Sequence, residues 1–291
     1  MADAIKSPTL PRTEMTALKI SAFLRFAFLL PLFGGFLAPA SAFEAPTADA
    51  RLVVAGGIQD GAYRAALELD LPDGWHTYWR NPGDAGIPPI FDVARSDNLK
   101  DFTVAYPVPV RHIDGAGTSM IYEGRILLPI RVAPDRSGKP VTLTIHVFYG
   151  LCAEICVPAE ADVTARLDPA APADPVAGAD IAAFEARVPV RSDDGRLTVD
   201  RSGFDAKTAR GSIEVSVAAD DRFVDLFVTA PAKWYAAPPE PAGTDGDRRR
   251  FTVPLEGPSG TAGTGGIDLR FVLVEKDRAY EIVRHLDAAG N

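Results

Sequence analysis

The chain has two cysteines, Cys152 and Cys156, both in the stretch YGLCAEICVPAE, residues 149–160. Three chemistries suit such a pair: a disulfide that staples two strand ends, a clip for a soft metal, or a dithiol that exchanges electrons with other thiols. The spacing is not the C-x-x-C of thioredoxins, and no histidine follows as in haem attachment. As a staple the pair closes a loop of only five residues. The chain-entropy estimate for so small a loop is about 2 kcal/mol, the low end for disulfides. Structural zinc needs four ligands, and His76, His112, His146 and His285 are scattered without ligand spacing. Copper(I) accepts thiolates and thioethers, which makes Cys152, Cys156 and Met120 the alternative soft set. Exchange requires a thiolate, and a thiol of ordinary pKa is only about 3% ionised at pH 7. Glu154, between the cysteines, acts against ionisation, and no Lys or Arg lies within the motif. The pair is therefore not a strongly activated oxidant. It can still be attacked as a disulfide and, once reduced, attack a partner's disulfide.

The elements that carry this stretch read as strands. VTLTIHVF places Val141, Leu143, Ile145 and Val147 on one side and Thr142, Thr144 and His146 on the other. By the same parity Cys152 falls on the wet side, and Cys156 falls with Glu160 and Asp162, so a surface pair is expected. ALELDL, residues 66–71, puts Leu67, Leu69 and Leu71 inside and Glu68 and Asp70 outside. SIEVSV from Ser212 and IDLRFVL from Ile267 repeat the alternation. Half-buried strands separated by turn-rich stretches predict antiparallel sheets packed face to face. Glycine and proline, 25 each in 291 residues, suit short strands and many turns. DPAAPADPVAGAD, residues 168–180, lacks apolar periodicity and reads as a Pro/Ala-rich linker, with IAAFEARVP after it as one short helix. PPEPAGTDGDRRR and GPSGTAGTGG read as flexible loops. The expected fold is all-β: two immunoglobulin-like antiparallel sandwiches, residues 43–167 and 181–291, joined by that linker.

The N-terminus reads as a targeting segment. Lys19 and Arg25 flank an apolar run, FAFLLPLFGGFLAP, that ends in Ala40-Ser41-Ala42. Basic residues, an apolar core and a small-x-small site make residues 1–42 a secretory signal peptide, with Met15 as an alternative start. Pro31, Gly34 and Gly35 break the run, which favours cleavage over a retained membrane helix. Export to an oxidising periplasm follows, where disulfides persist. The formal charge of −9 supplies no electrostatic reason to bind nucleic acid. No Gly-rich phosphate loop, G-x-S-x-G or H-E-x-x-H occurs in a supporting context, so hydrolase and nucleotide chemistry have no basis, and no cofactor is expected.

Three ordered motifs, LPDGWHTYWRNPGDAGIPP, IYEGRILLPIRV and FYGLCAEICVPAEADV, resemble the N-terminal periplasmic domain of DsbD-type thiol:disulfide interchange proteins. The LCAEICVP form is most similar to the suppressor-of-copper-sensitivity, ScsB-like branch, and the resemblance covers residues 50–167. It implies an immunoglobulin-like sandwich whose redox pair is Cys152 and Cys156. It also implies protein partners: a membrane thiol-electron conductor on one side, and thioredoxin-like reductants, disulfide isomerases or cytochrome c biogenesis proteins on the other. Trp75, His76 and Tyr78 lie on the strand that the family places near the cysteines, and are supporting candidates with Tyr106, His112 and Glu154. Family members have a wider cysteine spacing and a cap loop with an aromatic residue over the pair. The matching loop here, HIDGAGTS, has Gly115 at that place, which leaves Tyr106, His112 or Trp79 to cap. Full-length members continue into membrane helices and a thioredoxin-like domain, for which this sequence shows no counterpart, so the conductor is expected to be a separate protein.

Overall fold

The structure is a computed structural model that describes residues 48–200, 204–205, 208–218, 220–258 and 266–286. The signal-peptide reading of residues 1–42, with Met15, lies outside the described residues. The first half contains β1 (Asp49–Val54), β2 (Tyr63–Asp70), β3 (His76–Gly83), β4 (Ile90–Asp92), β5 (Leu99–Val104), β6 (Val110–Asp114), β7 (Gly117–Glu123), β8 (Arg125–Pro134), β9 (Val141–Cys152) and β10 (Cys156–Leu167). Helix α1 (Pro175–Glu185) follows. The second half contains β11 (Val190–Arg191), β12 (Leu197–Asp200), β13 (Phe204–Asp205), β14 (Arg210–Ala218), β15 (Phe223–Thr229), β16 (Tyr235–Ala236), β17 (Glu240–Asp245), β18 (Arg248–Glu256), β19 (Ile267–Glu275) and β20 (Ala279–Leu286).

Each half pairs a four-stranded sheet with a six-stranded one. In the first half the orders are β1-β2-β8-β5 and β10-β9-β3-β7-β6, with β4 beside β9. In the second they are β11-β20-β19-β15 and β12-β14-β18-β16, with β13 beside β14 and β17 beside β18. Among the described residues every strand pairing is antiparallel except the two-residue contact of β11 with β20. The chain is thus all-β with one helix among its described residues, as the alternating pattern requires.

The alternation places the core. Val141, Leu143, Ile145 and Val147 are fully buried between the first two sheets, facing Leu67, Leu69, Ile126 and Leu128. In the second half Ile213, Val215, Leu269 and Phe271 do the same. Val272 breaks the alternation: it turns away from that core and, with Phe227, packs into the core of the first half. The sheet of β19 is covered on both faces, which is why its sequence FVL has three buried residues in a row.

Three expectations change. Glu68, assigned to the wet face, is buried and bonded by Arg51 Nε at 2.8 Å and Arg125 Nη2 at 2.6 Å. The face of β2 that carries it is covered, because α1 docks Ala177 and Ile181 on Val53, Ala55, Ala66 and Leu127. Part of the 168–180 stretch is that helix rather than linker: Asp174 accepts from the N–H groups of Val176 and Ala177, and Pro175 starts the first turn. Upstream, the amide of Gly57 donates to Ala171 O and that of Asp174 to Ala55 O, so the backbone there is held against the end of β1. The third change is in PPEPAGTDGDRRR, where β17 and the start of β18 form a hairpin that turns through Gly246 at φ 56°.

Candidate functional site

The cysteines close the β9–β10 hairpin. Register pairs Cys152 with Cys156, their Cα atoms are 4.1 Å apart, and a disulfide joins them. Ala153, Glu154 and Ile155 form the exposed turn between them, and the Ala153 amide donates to Ile155 O at 3.0 Å. A hairpin this long forms locally, because twelve residues of β9 pair without interruption with twelve of β10. The disulfide therefore lies at the end of a structure that register alone already holds.

The two sulfurs differ in access. Cys156 is exposed, as strand parity predicts. Cys152 is on the predicted face but only 1% exposed, so half of the expected surface pair is buried. The reason is a small second cluster on the outward side of the sheet, made of Tyr78 from β3, Ile121 from β7 and Cys152. Tyr78 OH donates to Cys152 Sγ at 2.8 Å and lies 3.4 Å from Cys156 Sγ. Burial, aided by Asp114, raises the Tyr78 phenol above its ordinary pKa, so it stays protonated and remains a donor.

Two glycines make the slot for that ring. A Cβ on Gly86 would lie 2.3 Å from Tyr78, and one on Gly150 would lie 2.9 Å away. Gly86 has φ 120°, which only glycine adopts without strain. Thr77 Oγ1 donates to Gly150 O at 2.8 Å, and the Gly150 amide donates to Ile87 O at 3.2 Å. These bonds fix β9 and the 86–87 turn on either side of the phenol.

His76 is directly across from Cys152 in register. It is 8% exposed, with its ring 5.4 Å edge-on from Tyr78 and 5.3 Å from His112. Burial and the neighbouring His112 lower its pKa, and Glu123 and Asp114 oppose the shift in part. His112, half-buried, sits on β6 with Asp114 Oδ2 3.5 Å from its Nε2.

The sequence candidates thus separate. His76, Tyr78 and His112 gather on the cysteine side. Glu154 is in the exposed turn. Trp75 packs against the first core. Tyr106 also packs there, 5.9 Å from the Arg80 guanidinium, with its phenol pushed up to about 12 by burial. Trp79 is 1% exposed in the core, 5.9 Å from Phe227. Of the three proposed caps only His112 reaches the cysteine side, through His76. Gly115 stands on an exposed turn with nothing within 4 Å of where its Cβ would be. Met120 does not join the cysteines. It is fully buried in the sandwich core, whereas its strand neighbour Ile121 faces Cys152, because successive side chains on β7 point to opposite faces. Among the described residues no group of three or more His, Cys, Asp and Glu forms a metal cluster.

Sequence reading missed Ile121 and the two slot glycines. Strand parity on IYEG would have given Ile121 its face, but only the fold brings residues 78, 86 and 150 to one ring.

The site is thus a disulfide at a hairpin end of a β-sandwich, with one sulfur open and the other under a phenol. Residues 41–168 match the family model for the N-terminal domain of thiol:disulfide interchange protein DsbD. Among solved structures the chain is similar to the N-terminal periplasmic domain of ScsB from Proteus mirabilis. That match has a TM-score of 0.59 at 20% identity and covers 82% of this chain and 92% of the other. The reduced DsbD N-terminal domain of Neisseria meningitidis matches at 17% identity and a TM-score of 0.26, over 40% of this chain and 84% of the other. No curated protein matches the sequence.

Proposed function

We propose that the chain is a periplasmic protein-disulfide reductase that relays reducing equivalents between protein partners through Cys152 and Cys156. The observation that carries this reading is the unequal access of the two sulfurs under one hydrogen-bond donor. In the reducing direction, a thiolate of the donor protein attacks the exposed Cys156 Sγ. The Cys152–Cys156 bond breaks, its electron pair goes to Cys152, and the Tyr78 O–H stabilises the thiolate that leaves. A second donor thiolate then resolves the mixed disulfide, leaving two reduced cysteines here and a disulfide on the donor. Passing the electrons on reverses the roles: Cys156 attacks the acceptor's disulfide, and Cys152 resolves the intermediate. Each cycle moves two electrons and needs no cofactor.

The donor in this reading is a separate membrane thiol-electron conductor, and the acceptors are thioredoxin-like proteins or disulfide isomerases. The family match supports partners of the thioredoxin-like kind. Residues 43–167 form the redox domain and 181–291 a second sandwich without redox chemistry of its own. Removal of residues 1–42 on export is part of the same proposal. Among the described residues no helix is long and apolar enough to cross a membrane.

Partner capture tests the reading. Cys152→Ala leaves the attacking thiol without its resolving partner, so it should accumulate mixed disulfides that vanish with reductant on non-reducing gels. Cys156→Ala should capture far less, and the double variant none. Capture by neither single variant would remove the relay.

A further inference from the structure

Among the described residues β6 is the last strand of its sheet, paired on one side only, with β7. Edge strands open more readily than central strands unless something holds them. Here the second half holds this one. Arg111 on β6 presents Nε to both carboxylate oxygens of Asp225, at 3.0 and 3.2 Å, and Nη2 to Oδ1 at 2.8 Å. The same Nη2 donates to Leu226 O at 2.8 Å. Both side chains are mostly buried, 21% and 24% exposed. A second tie runs through Asp84, whose carboxylate takes the Thr118 amide at 2.8 Å and Tyr235 OH at 3.0 Å. Between these ties the hairpin and the second half are separated by a groove of about 720 Å³, bordered by Ile113, Val224 and Pro239. Polar anchors therefore hold the β6 edge there, while β7 is paired with β3 on its other side and buries Met120 and Tyr122 in the core.

The hairpin borders the small cluster around the buried cysteine. Val110, beside Arg111, pairs with Ile121, which packs on Tyr78 and Cys152. On the other side of Arg111, His112 rests on His76, the strand partner of Cys152. We propose that Arg111 and Asp225 are positioning residues for the cysteine pair: their ion pair braces the β6–β7 hairpin against the cluster around Cys152, so that partners reach only Cys156. The second half then acts on the site as a brace. This inference rests on the thiol-exchange reading for its purpose, but its geometry does not.

Thiol protection tests it. In the full chain carrying Cys156→Ser, Cys152 reacts with iodoacetamide only when the hairpin opens, and the rate reports the open population. Arg111→Gln and Asp225→Asn should each raise that rate roughly 5–30-fold, the population change given by about 1–2 kcal/mol. Arg111→Lys, which keeps the charge but not the fork, should fall between. The rise should be read at the high-pH plateau, where the thiol is fully ionised and the rate reports access. Arg64→Gln is the control, since it breaks another partly buried pair, with Glu185, that involves neither the β6–β7 hairpin nor the cysteine hairpin. It should lower thermal stability and leave the Cys152 rate unchanged. An unchanged rate in Arg111→Gln and Asp225→Asn, or an equal rise in Arg64→Gln, overturns the proposal. The assay needs no partner protein, so failed capture by Cys152→Ala would remove the relay and leave the brace, and an unchanged alkylation rate would do the reverse.

Discussion

The two halves of the molecule share a layout and differ in what their outward faces carry. Each builds a core between a four-stranded and a six-stranded sheet from alternating aliphatic residues. On the six-stranded sheet of the first half, the outward side holds Tyr78, Ile121 and Cys152, an apolar patch around a disulfide. On the six-stranded sheet of the second half, ion and hydrogen-bond partners occupy the outward side. Arg250 lies 3.8 Å from Glu214, and Arg248 donates to Ser216 O at 2.6 Å and reaches Thr198 Oγ1 at 3.3 Å. The interiors are alike because both must bury strand faces. The reactive pair belongs to one hairpin end, so the fold supplies a platform and a few outward residues supply the chemistry.

The comparison breaks most severely at the junction. Trp79 is buried in the first core and packs on Phe227 of the second half, while Arg80 beside it pairs with Glu281 at 2.8 Å. Trp79→Ala should cost about 3–5 kcal/mol, as large aromatic truncations do. Its thermal unfolding should remain one cooperative transition at lower temperature. Separate melting of an unaffected second half would show that the halves are independent after all.

A smaller effect is expected from the feature that distinguishes the halves. Because the disulfide closes a loop of five residues, Cys152→Ser with Cys156→Ser should lose about 2 kcal/mol and stay folded. Calorimetry of the double variant checks this. Loss of cooperative folding would make the pair a staple, and the first half would then differ from the second in stability rather than in chemistry.

The smallest effect concerns His76, whose pKa is lowered by burial and by His112. Below the ordinary histidine value of 6.5 the unfolded chain takes up a proton that the folded one resists, so the unfolded state binds more protons. Stability contributed by the neutral imidazole should decline as pH falls from about 6.5 towards the lowered value. Melting temperatures at pH 7.5 and 5.5 should show a larger drop for the parent than for His76→Gln. Equal drops would assign the acid sensitivity in this window to groups other than His76 and Glu68. Burial pushes the Glu68 carboxyl up, but hydrogen bonds from Arg125 and Arg51 outweigh it and hold it below the usual range, so its contribution is lost at lower pH.

Much of this protein is written locally. Alternation along VTLTIHVF dictates a strand with Val141, Leu143, Ile145 and Val147 inside, and it puts both cysteines on the outward face, where they are found. Period two is a property of the extended chain, so it is legible without any partner strand. The Asp174–Pro175 start of α1 is local too, though apolar periodicity alone did not reveal a helix whose buried residues are only Ala177 and Ile181. What alternation could not decide is which outward faces stay wet. Glu68 is buried because α1 covers its side of the sheet, and Cys152 because Tyr78 and Ile121 come over it. Those coverings join residues 74 and 31 positions apart from Cys152, at 78 and 121, and a glycine slot at 86 and 150. Contacts over such separations follow from sheet order, and no spacing in the sequence encodes sheet order directly. The sequence by itself therefore determined the strands, their inner faces and the pair of sulfurs. Only the tertiary structure decided that one sulfur is open and the other shut, because access is set by what packs above a face and not by the strand that bears it.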